Sequence, residues 1–273
     1  MSSRKRWGMV MVLAVGALVA AGCSQLRARD QLNKGVRAYK SAQFNIAAEH
    51  FKNAVRLDPS LLTARLYLAT AYQTQFTPGN PSPDNLRFGR EALRVYQSIL
   101  QRQPNNANAI AGIASIYYGM GRFQHARKYY LLQIQRDPND PTPYYTLAVI
   151  DWNQSYRPRL ATRIKFGITN AAAPFVGRRS PRQIIQACKQ LASANMSKVD
   201  DGLQNLRKAM ELRQNYADAM DYMNLLYREK ADLQCGNQKA YQEYSNKAND
   251  WYNKAAALTR AEALAKSKAS AAQ

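Results

Sequence analysis

Small and bulky apolar residues return along this chain at intervals that suit one face of a helix. In residues 28–61, Gly35, Ala47, Phe51, Ala54 and Pro59 stand at spacings of 12, 4, 3 and 5. Residues 107–140 repeat those intervals with Ala114, Ala126, Tyr130, Gln133 and Pro138. Each stretch holds two helical halves joined by a turn, GMGRF in the second. The closing Pro has no N–H to donate, so it ends the second half and begins the link to the next pair. The pattern predicts antiparallel helix pairs in an all-α chain.

Three further pairs fit once insertions are allowed. Residues 62–106 open with Leu68, Ala69 and Tyr72 and close with Ala92, Tyr96, Ile99 and Pro104. Between these halves lies TQFTPGNPSPDN, an insertion of about 11 residues whose three Pro mark a loop. Residues 141–216 open with Leu147 and Ala148 and close with Gly202, Leu206 and Ala209, with Gln214 in place of the Pro and about 42 extra residues. Residues 217–258 open with Met223, Asn224 and Tyr227 and close with Ala248, Tyr252 and Ala255, with a smaller insertion. Residues 259–273 continue as a polar capping helix or tail, which a stack of repeats needs at its end. The 34-residue period and these positions resemble the tetratricopeptide repeat (TPR), over residues 28 to about 258 and most specifically in the first and third units. The resemblance implies a solenoid of helical hairpins with about five units, and insertions in units two, four and five. It places small residues such as Ala47 and Ala126 where paired helices cross, with Phe51 and Tyr130 filling the gap to the next helix. Five units exceed the roughly three needed to bury a continuous core.

The N-terminus has a different pattern. Arg4, Lys5 and Arg6 precede an apolar stretch from Met9 to Ala21. Thirteen residues are too short for a bilayer core that needs roughly 20, so residues 1–22 read as a secretory signal peptide. The signal ends in Ala20-Ala21-Gly22 followed by Cys23. AAGC resembles the lipobox of bacterial lipoproteins, with Ala20 where Leu is commoner. That resemblance implies cleavage before Cys23 and acylation of its thiol, with palmitate-type chains, and of the new N-terminus. Two or three chains anchor stably where one is marginal. Ser24, where an Asp would signal inner-membrane retention, points by the same resemblance to an outer-membrane anchor facing the periplasm.

Charge narrows the remaining readings. Lys and Arg number 39 against 18 Asp and Glu, a net +21; loss of the signal peptide leaves 36 against 18, a net +18. Export removes such a chain from nucleic acid, so its partners are sought in the envelope. Two His, His50 and His125, lie about 75 residues apart with no ligand-spaced Cys or carboxylate nearby, so no metal site, nucleophile–base pair or cofactor is expected. Gly119-Met120-Gly121 falls in a repeat turn, not after a strand, and is no phosphate loop. No enzymatic activity is expected. Cys188 and Cys235 are an even pair in an exported chain; they either form a disulfide or are buried separately.

In the TPR family the first helix of each unit lines the ligand groove. Register places Arg29, Asn33, Tyr39, Lys40, Tyr67, Thr70, Tyr118, Tyr145, Trp152 and Tyr222 on that face, where each aromatic either meets a partner or packs within the chain. The Lys and Asn with which some TPRs clamp a terminal carboxylate are absent, Leu32 and Val36 standing at the first unit's clamp positions. Residues 153–199 carry nine Lys and Arg and no acid. Ser180-Pro181 predicts the start of a helix to about Asn195. The part before it has too little periodicity to assign and is either a solvated loop or a basic surface of Arg157, Arg159, Arg163, Lys165, Arg178, Arg179 and Arg182. Two functional readings result. One is a lipid-anchored scaffold that binds a protein or peptide through its groove, in envelope assembly, secretion or pilus biogenesis. The other is a protein that binds anionic lipid or cell-wall polymer through the basic insertion.

Overall fold

A computed structural model describes residues 23–170, 174–176 and 181–271. The described residues hold helices and no strand. In chain order these are α1 (residues 23–40), α2 (Phe44–Leu57), α3 (Leu62–Gln75), α4 (Pro83–Leu100), α5 (Ala107–Gly119), α6 (Phe123–Arg136), α7 (Pro141–Lys165), α8 (Arg182–Leu212), α9 (Ala217–Asp232) and α10 (Gln238–Ala271). The chain divides into two compact units at Gln133–Ile134, within α6.

In the N-terminal unit the repeat positions do the packing. Ala47, Phe51, Ala54, Ala92, Ile99, Ala114 and Ala126 are fully buried. Gly35 of α1 lets the Phe51 ring of α2 lie against the helix backbone, since a Cβ there would sit 2.5 Å from the ring. Gly112 of α5 admits Tyr96 of α4 in the same way. Gly35→Ala forces that ring to move, and overpacking of this kind costs about 1–3 kcal/mol. A denaturant melt is expected to show this loss, whereas Gly79→Ala, with open space around its Cβ, costs only what its positive φ of 76° imposes.

Helix ends are set locally. Ser82 accepts from the Asn85 N–H at the start of α4, Asn106 from Ala109 at α5, and Asp140 from Thr142 at α7, with Pro83 and Pro141 in the first turns. Gly121 closes α5 in the left-handed region, φ 69°, with the Arg122 N–H donating to the Tyr117 carbonyl. The Pro-rich connection between α3 and α4 is pinned. Asn85 bonds the N–H and carbonyl of Thr77 and the carbonyl of Asn80, and the Gly79 N–H reaches the Gly119 carbonyl.

The C-terminal unit departs from the expected loop. Residues 153–165 continue α7, and α8 runs unbroken for 31 residues, about 46 Å. The basic segment thus lengthens a helix pair, with residues 166–181 as the connection. Pro158 lies inside α7 without a break. It removes one backbone donor, but side chains of the following turns are tied to α9, which holds the helix in place. The core of this unit gathers Val199, Leu203, Leu206, Met223, Leu226 and Ala248. Residues 259–270 of α10 are exposed along their whole length.

Candidate functional site

The sequence-predicted groove residues fall in two units, each with its own geometry. In the N-terminal unit Arg29, Asn33 and Lys40 are exposed on α1. The Tyr39 hydroxyl meets Thr74 Oγ1 at 2.8 Å, and Thr70 Oγ1 lies 3.4 Å from the Tyr96 hydroxyl, which donates to Gln73. This makes a polar row across α1, α3 and α4. Burial raises the Tyr96 phenol above its ordinary pKa, so it stays a neutral donor. Tyr67 instead stacks on Phe51 at 5.3 Å, and Tyr118 packs beside Phe123. Both rings cover neighbouring helices. His50 Nδ1 donates to Gln31 Oε1 at 2.8 Å, and His125 lies on Tyr117. No cluster able to hold a metal ion occurs among the described residues.

In the C-terminal unit the predicted aromatics converge. Tyr222 of α9 meets Tyr145 edge-on at 5.6 Å and Trp152 edge-on at 5.5 Å, both on α7. Trp152 then stacks on Tyr156 at 4.9 Å, and Tyr145 touches Tyr216. Edge-to-face pairs of this kind contribute about 0.5–1.5 kcal/mol beyond area burial, so the rings help join α7 to α9. Tyr145, Trp152, Tyr156 and Tyr222 are only half-buried, leaving part of each ring open. The row runs into a cavity of about 560 Å³ walled by α7, α9 and the start of α10.

At the floor of this cavity lies an ion network that sequence reasoning missed. Arg159 donates through Nε and Nη2 to both oxygens of Glu229, at 2.8 and 2.7 Å, and through Nη1 to Asp232 at 2.7 Å. Arg163 donates to the same Asp232 oxygen at 3.1 Å and to the Asn170 carbonyl. The side chains are 13%, 1%, 9% and 4% exposed for Arg159, Glu229, Asp232 and Arg163. Arg159 and Arg163 therefore do not belong to a basic surface: two acids on α9 neutralise them. Arg157, Lys165 and Arg182 are exposed as expected, while Arg178 and Arg179 lie outside the described residues. Burial works against both partners of the central pair. At Arg159 the hydrogen bonds and charges of Glu229 and Asp232 outweigh it and raise the guanidinium's pKa. At Glu229 burial outweighs Arg159 and the carboxyl's pKa is raised. These directions disagree about one ion pair. The two parallel N–H···O contacts are the geometry of an ionised, bidentate pair, so the direction at Arg159 is the one that describes it.

Between α7 and α8, Phe175 and Val176 are clasped over the same corner. The Phe175 N–H donates to Asp232 and Gln238 Nε2 to the Val176 carbonyl. Phe175, Val176 and Cys188 form a small buried cluster, and Cys188 of α8 is joined to Cys235, in the turn after α9, by a disulfide with Cα atoms 5.5 Å apart. Cys235 and Gly236 carry positive φ, 52° and 100°, which makes that turn tight.

Cys23, the first described residue, is exposed with a free thiol at the start of α1; residues 1–22 lie outside the described residues. No described helix is long and apolar enough to cross a membrane.

The tetratricopeptide-repeat family profile matches residues 89–149. No curated protein matches the sequence. Among solved structures, MamA from Desulfovibrio magneticus RS-1, residues 41 to the end, superposes with a TM-score of 0.57 at 14% identity, covering 86% of this chain and 96% of that one. A second MamA structure superposes with a TM-score of 0.54 at 14% identity, covering 84% and 94%. The chain is thus an all-α protein with the tetratricopeptide-repeat fold, and residues 89–149 carry the family's own sequence pattern.

Proposed function

We propose that this chain is a lipid-anchored, non-enzymatic scaffold of the bacterial envelope, held by acyl chains on Cys23 and binding a protein partner across the first-helix face of its C-terminal unit. The observation that carries the reading is the row Tyr145–Tyr222–Trp152–Tyr156. Half-buried aromatics next to a polar-floored cavity supply rigid contact area at low entropy cost, the composition of a protein-recognition surface. The AAGC sequence and the exposed Cys23 thiol support the anchor, and Ser24 the outer membrane. Envelope assembly, secretion and pilus biogenesis are the processes in which such a scaffold would act.

Two comparisons test this. Cys23→Ala is expected to abolish acyl labelling and to leave an uncleaved precursor or a soluble product; labelling equal to wild type would refute the anchor. Affinity purification of the anchored protein from its own membranes is expected to bring down a polypeptide that a Tyr145→Ala/Tyr222→Ala variant loses while keeping its helical signal. Recovery of the same polypeptide by both forms would place binding elsewhere.

The rival reading, contact with anionic lipid or wall polymer through the basic segment, keeps only part of its charge, because Arg159 and Arg163 are consumed by α9.

A further inference from the structure

One face of α7 is left unpartnered beyond the aromatic row. Trp152, Tyr156, Leu160 and Ile164 recur every four residues, a stripe of about 18 Å along the helix. Leu160 and Ile164 are 37% and 67% exposed, and all four line the 560 Å³ cavity. That volume lies within the roughly 300–1,000 Å³ of sites that enclose a bound group. The acids at its floor, Glu229 and Asp232, are already engaged by Arg159 and Arg163. The lining also carries an exposed cation, Arg228. On the opposite wall, it is held by amide oxygens of Asn224 and Asn249 at 2.8 and 3.2 Å, which leaves its charge uncompensated by these contacts.

We propose that this stripe receives an amphipathic segment of another protein, with two or more bulky apolar side chains entering between α7 and α9 and an Asp or Glu meeting Arg228. The assignment rests on the partner-binding reading above and names the chemistry of that partner. Charge decides among occupants. A second copy of the mature chain, with 36 Lys and Arg against 18 Asp and Glu, a net +18, brings like charge to Arg228, which opposes association. A bilayer surface is flat and meets Arg228 without filling the cavity, whereas a protein segment does both.

The test is selection of a random peptide library of about 12 residues on the purified full chain, followed by affinity measurement of the enriched sequences as synthetic peptides. Enriched peptides are expected to pair apolar residues with Asp or Glu, and to lose at least about tenfold in affinity to Ile164→Glu and to Arg228→Glu, both exposed sites whose variants keep the wild-type melt. Enriched peptides that lack acids, or that bind both variants as tightly as wild type, would overturn this assignment and leave the general reading standing. No enrichment at all would remove both. Binding to phosphatidylglycerol vesicles that Ile164→Glu abolishes, with no peptide enriched, would give the stripe to the membrane and overturn the proposal.

Discussion

Arg159→Ala is expected to destabilise the C-terminal unit by about 3–5 kcal/mol, because it strands Glu229, 1% exposed, as an unpaired buried charge. On the order of 10 °C in melting temperature is the corresponding loss for a unit of this size. Arg157→Ala, two residues away on the exposed side of α7, is expected to change stability by no more than about 0.5 kcal/mol. The contrast is diagnostic, since both residues belong to one basic stretch of sequence. Removing both sides of the pair, Arg159→Met with Glu229→Leu, is expected to cost less than the two single changes together, because no charge is then left without a partner. Thermal and denaturant melts of the four proteins measure the cycle. Equal, small effects of Arg159→Ala and Arg157→Ala would mean that the pair is not buried.

Loss of the Cys188–Cys235 disulfide is expected to cost nearly as much. It closes a loop with a sequence separation of 47, worth about 4 kcal/mol on the chain-entropy account. Reduction acts where Asp232 and Gln238 hold Phe175 and Val176 against the end of α9. The melting midpoint of the oxidised protein should therefore fall by several degrees with reductant. A Cys188→Ala/Cys235→Ala variant should start lower and show no further response. A wild-type midpoint indifferent to reductant would contradict this account.

The repeat was legible because its signal is local and periodic. Gly35 against Phe51 is a close approach that only a small residue allows, and its position returns as Ala114, 12 residues before Ala126 as Gly35 is before Ala47. The convergence of Tyr145, Trp152 and Tyr222 was legible for the same reason, as register puts them on first helices. Tyr67 and Tyr118 share that register but cover Phe51 and Phe123, a choice made by side-chain direction and not by spacing. The helical course of residues 153–165 was obscured by Pro158 and by Arg side chains that read as solvent-facing. Arg159 and Arg163 stand one helical turn apart, as do Glu229 and Asp232, so each pair occupies one face. Nothing local links the pairs across about 70 residues. The signal available was the i,i+4 arginines against the i,i+3 acids on the helix of the next unit.

The central claim is that a protein partner binds on the first-helix face of the C-terminal unit. Site-specific photo-crosslinking tests it most directly, with a photoreactive residue replacing Tyr222 on that face or Lys208, exposed on the second helix α8, in intact envelopes. The account predicts one discrete crosslinked polypeptide from position 222, diminished by Ile164→Glu, and none from position 208. Equal products from both positions, or none from position 222, would contradict it.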